Sequence, residues 1–203
     1  MTRSLRLRKI LGIILKVGNR LNKAGEDTVS TYSSPEANGF SVESLSKLNQ
    51  VKAYDKQTTV LSYIGSLIQR SNPSLLEVND DLPHIYKAHS ISSDHDKALK
   101  DLEKQLSDAR STLSTEDQDC DGSDEFPSSV HVTAFIEEAT QSLTATQKAN
   151  EEAKRKFTHV LEYFSMEKDL SPIFLFGVVA SFCKEVEAVN AELSTSNGKK
   201  VCY

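Results

Sequence analysis

The sequence predicts an all-α fold, an elongated bundle of long helices with coiled-coil-like packing. Apolar residues recur at three- and four-residue spacing through most of the 203 residues. No stretch keeps the strict apolar–polar alternation of a half-buried strand, and no unit repeats at a fixed period. Pro73, Pro83 and Pro172 fall where one periodic stretch should stop or another start.

The first helix is expected from about Ser4 to Asn22, where Leu7, Ile10, Leu11, Ile14, Gly18 and Leu21 share a face. Lys9, Lys16, Arg20 and Lys23 occupy the other side, so this helix is basic and amphipathic. Residues 24–38 mix Gly, Ser, Thr, Pro and Asn and read as a surface loop. Ser41 is a candidate N-cap for a short stripe of Val42, Leu45 and Leu48. Asp55 is the candidate cap of the next helix, which carries Val60, Leu61, Ile64, Leu67 and Ile68 and stops at Asn72-Pro73. After a connector from Ser74 to Leu82, one long helix is expected from Pro83 to about Leu113. Its seam is Leu99, Leu102, Leu106, Ala109 and Leu113. An acidic linker, 114–129, precedes a second long helix from about Val130 to Phe164. Ser171-Pro172 opens a last helix to about Leu193, with a frayed tail over 194–203. The expected organisation is one domain over 1–193, its first part covering about 4–90 and its long helices about 83–193.

Composition narrows the function. A formal net charge of −5 argues against a dedicated nucleic-acid binder, which would be basic. Cys120, Cys183 and Cys202 are odd in number and widely spaced, so neither a disulfide framework nor a cysteine zinc site follows, and a reducing compartment is expected. The apolar run Ile10–Leu15 is too short for a membrane span, and no small-residue cleavage site follows it. Catalytic patterns are missing. His84, His89, His95, His131 and His159 show no H-E-x-x-H spacing, and neither a G-K-[ST] phosphate loop nor a G-x-S-x-G elbow occurs. No enzyme and no cofactor are therefore expected. Asp117, Asp119, Asp121 and Gly122 imitate the start of an EF-hand loop. Ser128 then stands where the bidentate Glu belongs and Asp124 where an apolar residue belongs, so a calcium site is not expected.

Two positions ask for a reason. Gly18 lies within an apolar helix, where glycine costs about 1 kcal/mol relative to alanine. Asn19 and Asn22, three apart, share a side next to the missing side chain, which makes a shallow notch edged by amides. A helix end capped by its own amides is the plainer reading of the same residues. Lys52 falls between two helical stretches, where a cation can reach a partner's carboxylate or simply be solvated.

Residues from Gly39 through Leu61, with Gly18-Asn19-Arg20-Leu21-Asn22 upstream, resemble the formin homology-two domain, the actin-assembly domain of formins. The family pattern is G-N-x-x-N, a variable loop, G-F-x-L-x-S-L-x-K-L, a lysine within D-T-K-S, and D-x-x-x-T-L-L. Leu175 to Val186 resembles the family's aromatic-rich C-terminal helix, and Tyr163-Phe164 its aromatic pair before a G-E-D-like turn. The resemblance implies an actin-binding protein of the formin type, contributing to filament nucleation and elongation at barbed ends, cytoplasmic and cytoskeletal. It implies actin contacts at Lys52, Lys47 and Lys56. It also implies a surface at Gly18, Asn19, Asn22, Gly39 and Phe40 that receives the lasso of another formin homology-two subunit. Gln50, Ala53 and Gln57 depart from the family pattern around Lys52, so weaker binding is expected. The match covers the post and the following helices. The family's lasso, linker and knob would precede it, so impaired activity of the isolated chain is expected, and no proline-rich profilin site is present in it. The alternative is a non-catalytic helical scaffold whose Leu99–Leu113 face binds a partner as a coiled-coil module.

Overall fold

The computed structural model describes residues 1–24, 35–52, 56–89, 95–119 and 127–199. The fold is all-α, and the described residues contain no strand, only an isolated antiparallel bridge between Lys52 and Thr59. The helices are α1 (Leu5–Ala24), α2 (Val60–Ser71), α3 (Val78–Asp81), α4 (Ile85–His89), α5 (His95–Asp119), α6 (Pro127–Tyr163) and α7 (Pro172–Lys199). Two 3-10 helices, Val42–Lys47 and Pro73–Leu76, complete the order. The chain forms two compact units, one of Met1–Ile91 with Val160–Tyr203 and one of Ser92–His159.

In the first unit α7 is the central element, packed by α2, α3, α4 and both 3-10 helices, while α1 packs on α2, α3 and the second 3-10 helix. Leu175, Val179, Phe182 and Val186 of α7 are buried, as are Leu7, Ile10 and Ile14 of α1 and Leu61, Ile64 and Ile68 of α2. Burying one such side chain stabilises the fold by roughly 1.5–3 kcal/mol. Gly65 lets α2 approach α7 closely, because a Cβ there would stand 2.4 Å from Val189 Cγ1.

Ser4 starts α1 where the sequence places it. Its Oγ accepts from the Leu7 amide at 3.0 Å and donates to Asp81 Oδ2 at 2.7 Å, so one hydroxyl caps α1 and ties it to α3. Arg6, in the first turn where the helix dipole disfavours a cation, is held by Asp81 at 2.7 Å and by Glu77 and Asp80 at 3.7 Å. The Ser4 hydroxyl, followed by the Arg6 amide and guanidinium, holds the Asp81 carboxyl below its ordinary value of 3.8. A carboxylate whose folded pKa is depressed contributes stability above its unfolded pKa and loses it as pH falls through the folded one. Acid titration of the folded chain should therefore show stability draining below about pH 5. Asp81→Asn should be less stable at pH 7 and flatter across that window, as read by thermal melts at each pH.

Several boundaries differ from the sequence reading. The cap of α2 is Thr59, whose Oγ1 accepts from the Ser62 amide at 3.1 Å. The proposed cap Asp55 lies outside the described residues. Ser41 occupies the N-cap position of a 3-10 helix, not an α-helix, and its side chain makes no capping bond. The helix expected from Pro83 to Leu113 is two helices, α4 and α5, ending at His89 and starting at His95. The residues between them, 90–94, lie outside the described residues. The acidic linker is shorter than expected, because α5 continues to Asp119 and α6 begins at Pro127. Segment 114–119 is polar but has no Gly or Pro, and Pro127 has the φ of a first helical residue. The helix α7 continues past Leu193 to Lys199. The EF-hand-like positions Asp121, Gly122 and Asp124 lie outside the described residues, as do Cys120 and Cys202.

The turn after α6 explains a second feature. Ser165 has φ 52°, the left-handed region. The Met166 amide donates to Leu161 O at 2.9 Å and the Ser165 amide to Glu162 O at 3.1 Å, which is a Schellman C-cap with a non-glycine at its left-handed position. Ser165→Gly should raise stability by about 0.5–1 kcal/mol, measured by denaturant unfolding.

In the second unit α5 and α6 pair antiparallel. Asp96 bonds Asn150 and Lys154, each at 2.7 Å, and Gln147 reaches Glu103 at 3.3 Å. Leu99, Leu106 and Leu113 are the partly buried leucines of α5, spaced by sevens, and Ile136, Leu143, Asn150 and Phe157 repeat likewise on α6. Leu102 and Ala109, expected in the seam, are exposed. On α5 one position per heptad is covered, whereas on α6 Thr140 and Gln147 add a second partly buried position.

Candidate functional site

A surface groove of the first unit lies beside α1. Its wider part encloses about 330 Å³ and is lined by Ile14, Leu15, Gly18, Asn19 and Asn22 of α1, by Ala37, Gly39 and Phe40, and by Ser44, Leu48, Val60 and Ile64. A second part, about 210 Å³, is lined by Leu7, Leu11, Gly12 and Leu15, by Gly39, Phe40, Val42 and Leu45, and by Phe164 and Val179. Leu15, Gly39 and Phe40 line both, so the two parts meet at the Phe40 segment.

Local sequence explains the shape. The α1 face toward the groove has glycine at 12 and at 18, and a Cβ at either would meet nothing within 4 Å. The notch read from the sequence is therefore open. The opposite wall is set by Asn19. Its Nδ2 donates to Ala37 O at 2.9 Å and its Oδ1 accepts from the Ala37 amide at 3.1 Å. This reciprocal pair, flanked by the Lys23–Glu36 ion pair at 2.6 Å, holds residues 36–40 against α1. Asn19 thus spends its amide on positioning Gly39 and Phe40, while Asn22 stands exposed at the lip. Glu36, beside the Lys23 ammonium, has its carboxyl held below the usual range.

All five groove residues singled out from the sequence line this one feature. The three lysines lie elsewhere in the same unit. Lys47 ends the first 3-10 helix, Lys52 forms the bridge to Thr59, and Lys56 has φ 56°; all three are exposed. The Val60 amide donates to Val51 O at 2.9 Å, which pins the two ends of this lysine-bearing loop together. Among the described residues none of the three makes a side-chain ion pair. The sequence reading missed the Ala37 clamp and the walls contributed by Phe164 and Val179. The latter lie more than a hundred residues away in the chain, and no local pattern encodes such a contact.

Among the described residues titratable groups offer no second site. Among the described residues no three His, Cys, Asp or Glu side chains cluster as metal ligands. Burial pushes the Cys183 thiol up to about 11, with the Glu187 carboxylate adding to the effect, so it behaves as a core residue. No described helix is long and apolar enough to cross a membrane.

Fold and groove together define an all-helical domain with a long surface groove and a separate cationic loop. The sequence profile of the Formin Homology 2 Domain matches residues 1–187, and the chain belongs to that family. It is 28% identical over 200 residues to human "Disheveled-associated activator of morphogenesis 1", covering 94% of this chain and 17% of that protein. It is 29% identical over 164 residues to Drosophila melanogaster "Protein diaphanous", covering 78% of this chain and 14% of that protein. It is also 28% identical over 160 residues to Rattus norvegicus "Protein diaphanous homolog 3", covering 78% and 13%. The chain thus spans less than a fifth of the length of these relatives.

Proposed function

We propose that this chain is the post-bearing portion of a formin homology-two domain, that it binds actin, and that the groove along α1 receives a segment of another formin homology-two subunit. The observation that carries the reading is the convergence of Gly18, Asn19, Asn22, Gly39 and Phe40 on one open groove in a chain of this family. The groove is apolar in its floor and edged by amides, which suits an extended segment that inserts large side chains and satisfies a few backbone groups. Lys47, Lys52 and Lys56 supply cations for the acidic surface of actin, with Lys52 as the principal contact. In this reading the chain contributes to filament nucleation and elongation at barbed ends as part of the whole domain, and works in the cytoplasm on the actin cytoskeleton.

The groove is tested by titrating the chain with the lasso-bearing N-terminal half of a formin homology-two domain, followed by calorimetry. Saturable binding is expected, reduced at least tenfold by Gly18→Trp, whose indole would occupy the notch. Gly18→Ala should leave the fold intact or slightly more stable, since alanine is the better helix former by about 1 kcal/mol. Undiminished binding by Gly18→Trp would place the partner segment elsewhere.

A further inference from the structure

A second groove runs on the other side of α1, and the reading above makes no use of it. It encloses about 550 Å³ between α1 and α2. Ile13, Val17 and Leu67 give it an apolar lining, and Lys16, Arg20 and Lys23 stand along it. The cations fall at i, i+4 and i+7, so they form one ridge, and Ile13 and Val17 lie beside it on the same helix.

Charge is unusually segregated here. Residues 1–24 contain Arg3, Arg6, Arg8, Lys9, Lys16, Arg20 and Lys23 and no Asp or Glu, in a chain whose formal net charge is −5. At the start of the helix this charge is answered, because Arg6 meets Glu77, Asp80 and Asp81. Along the groove, among the described residues, it is answered once, by Glu36 on Lys23. Among the described residues Lys16 and Arg20 make no ion pair, and both are exposed.

We propose that this groove docks an acidic amphipathic helix of a partner protein. A concave channel with apolar side chains and a cationic rim accepts a helix with apolar anchors at three- and four-residue spacing and carboxylates along its flank. The carboxylates meet Lys16 and Arg20, and the anchors meet Ile13, Val17 and Leu67. A flat anionic bilayer fits less well, because the half-buried apolar residues lie within a channel and not on a protruding face. Glu36 competes with the partner by neutralising Lys23. The proposal does not use Lys52, although Asn19, Lys23 and Glu36, which line this groove, also hold the Phe40 wall of the first one.

The probe is a fluorescein-labelled synthetic helix of about five turns, with leucines at three- and four-residue spacing and glutamates beside them. A peptide of the same composition in scrambled order serves as control. Anisotropy titration of the whole chain should show saturable binding of the amphipathic peptide only, weakening as salt rises. Lys16→Glu with Arg20→Glu should weaken it at least tenfold. Glu36→Gln should strengthen it severalfold by releasing Lys23, a gain that a damaged fold would not produce. Equal binding by the double variant, equal binding of the scrambled peptide, or no gain in Glu36→Gln would overturn the proposal. So would binding of phosphatidylserine vesicles that the double variant loses while its peptide binding is unchanged.

Discussion

Gly65→Val is expected to destabilise the first unit by about 3 kcal/mol, the upper part of the usual range for overpacking a core. The helices α2 and α7 touch at this glycine, where even the first added carbon would stand 2.4 Å from Val189 Cγ1 and 3.4 Å from Leu193 Cδ1. Val189 resists swinging away, because a β-branched residue in a helix has one strongly preferred rotamer. The helices would have to separate, opening the layer that Ile64, Ile68, Val186 and Val189 fill. Gly65→Ala should be milder, because the same clash is partly offset by the roughly 1 kcal/mol that alanine gains over glycine in a helix. Urea unfolding reads both. Adding Val189→Ala to Gly65→Ala should recover part of the loss, as expected for two residues in contact. A Gly65→Val protein as stable as the parent would mean that α2 and α7 do not pack as described.

Charge reversal at Lys52 should act on binding and not on the fold. Lys52 is exposed, and the loop is closed by the Val60 amide donating to Val51 O, so Lys52→Asp leaves that hydrogen bond in place. In the proposed actin contact the reversal would replace an attraction to an acidic surface with a repulsion. The expected loss is about tenfold in affinity, equivalent to about 1.4 kcal/mol. Lys47→Asp and Lys56→Asp should each lose less. Lys56 carries φ 56°, so Lys56→Gly removes the charge without adding backbone strain.

Most of the first unit was legible because its helices are amphipathic and bounded by strong signals. Ser4, Pro73 and Pro172 mark real boundaries, and Ile10, Ile14, Ile64, Ile68, Phe182 and Val186 are buried as their spacing requires. What was missed follows from weak or non-local signals. The sequence reading carried one helix from Pro83 to Leu113, whereas α4 ends at His89 and α5 starts at His95. Polar segment 114–119 stays helical because nothing in it stops a helix. Leu102 was expected in a seam, yet it is exposed, and the partly buried leucines of α5 are Leu99, Leu106 and Leu113. The groove was legible in part. Gly18 marks it because a glycine inside a helix leaves space, and the Gly39-Phe40 segment marks the facing wall. That Asn19 clamps Ala37 was not legible, since the amide's partner is a backbone carbonyl and amide that any loop residue presents.

The most direct test of actin binding is co-sedimentation of the purified chain with actin filaments at low and moderate salt, beside Lys52→Asp. The expected result is saturable, salt-sensitive binding that the substitution reduces about tenfold. Filaments that leave both proteins in the supernatant at low salt, or that carry both down equally, would contradict an actin contact centred on Lys52.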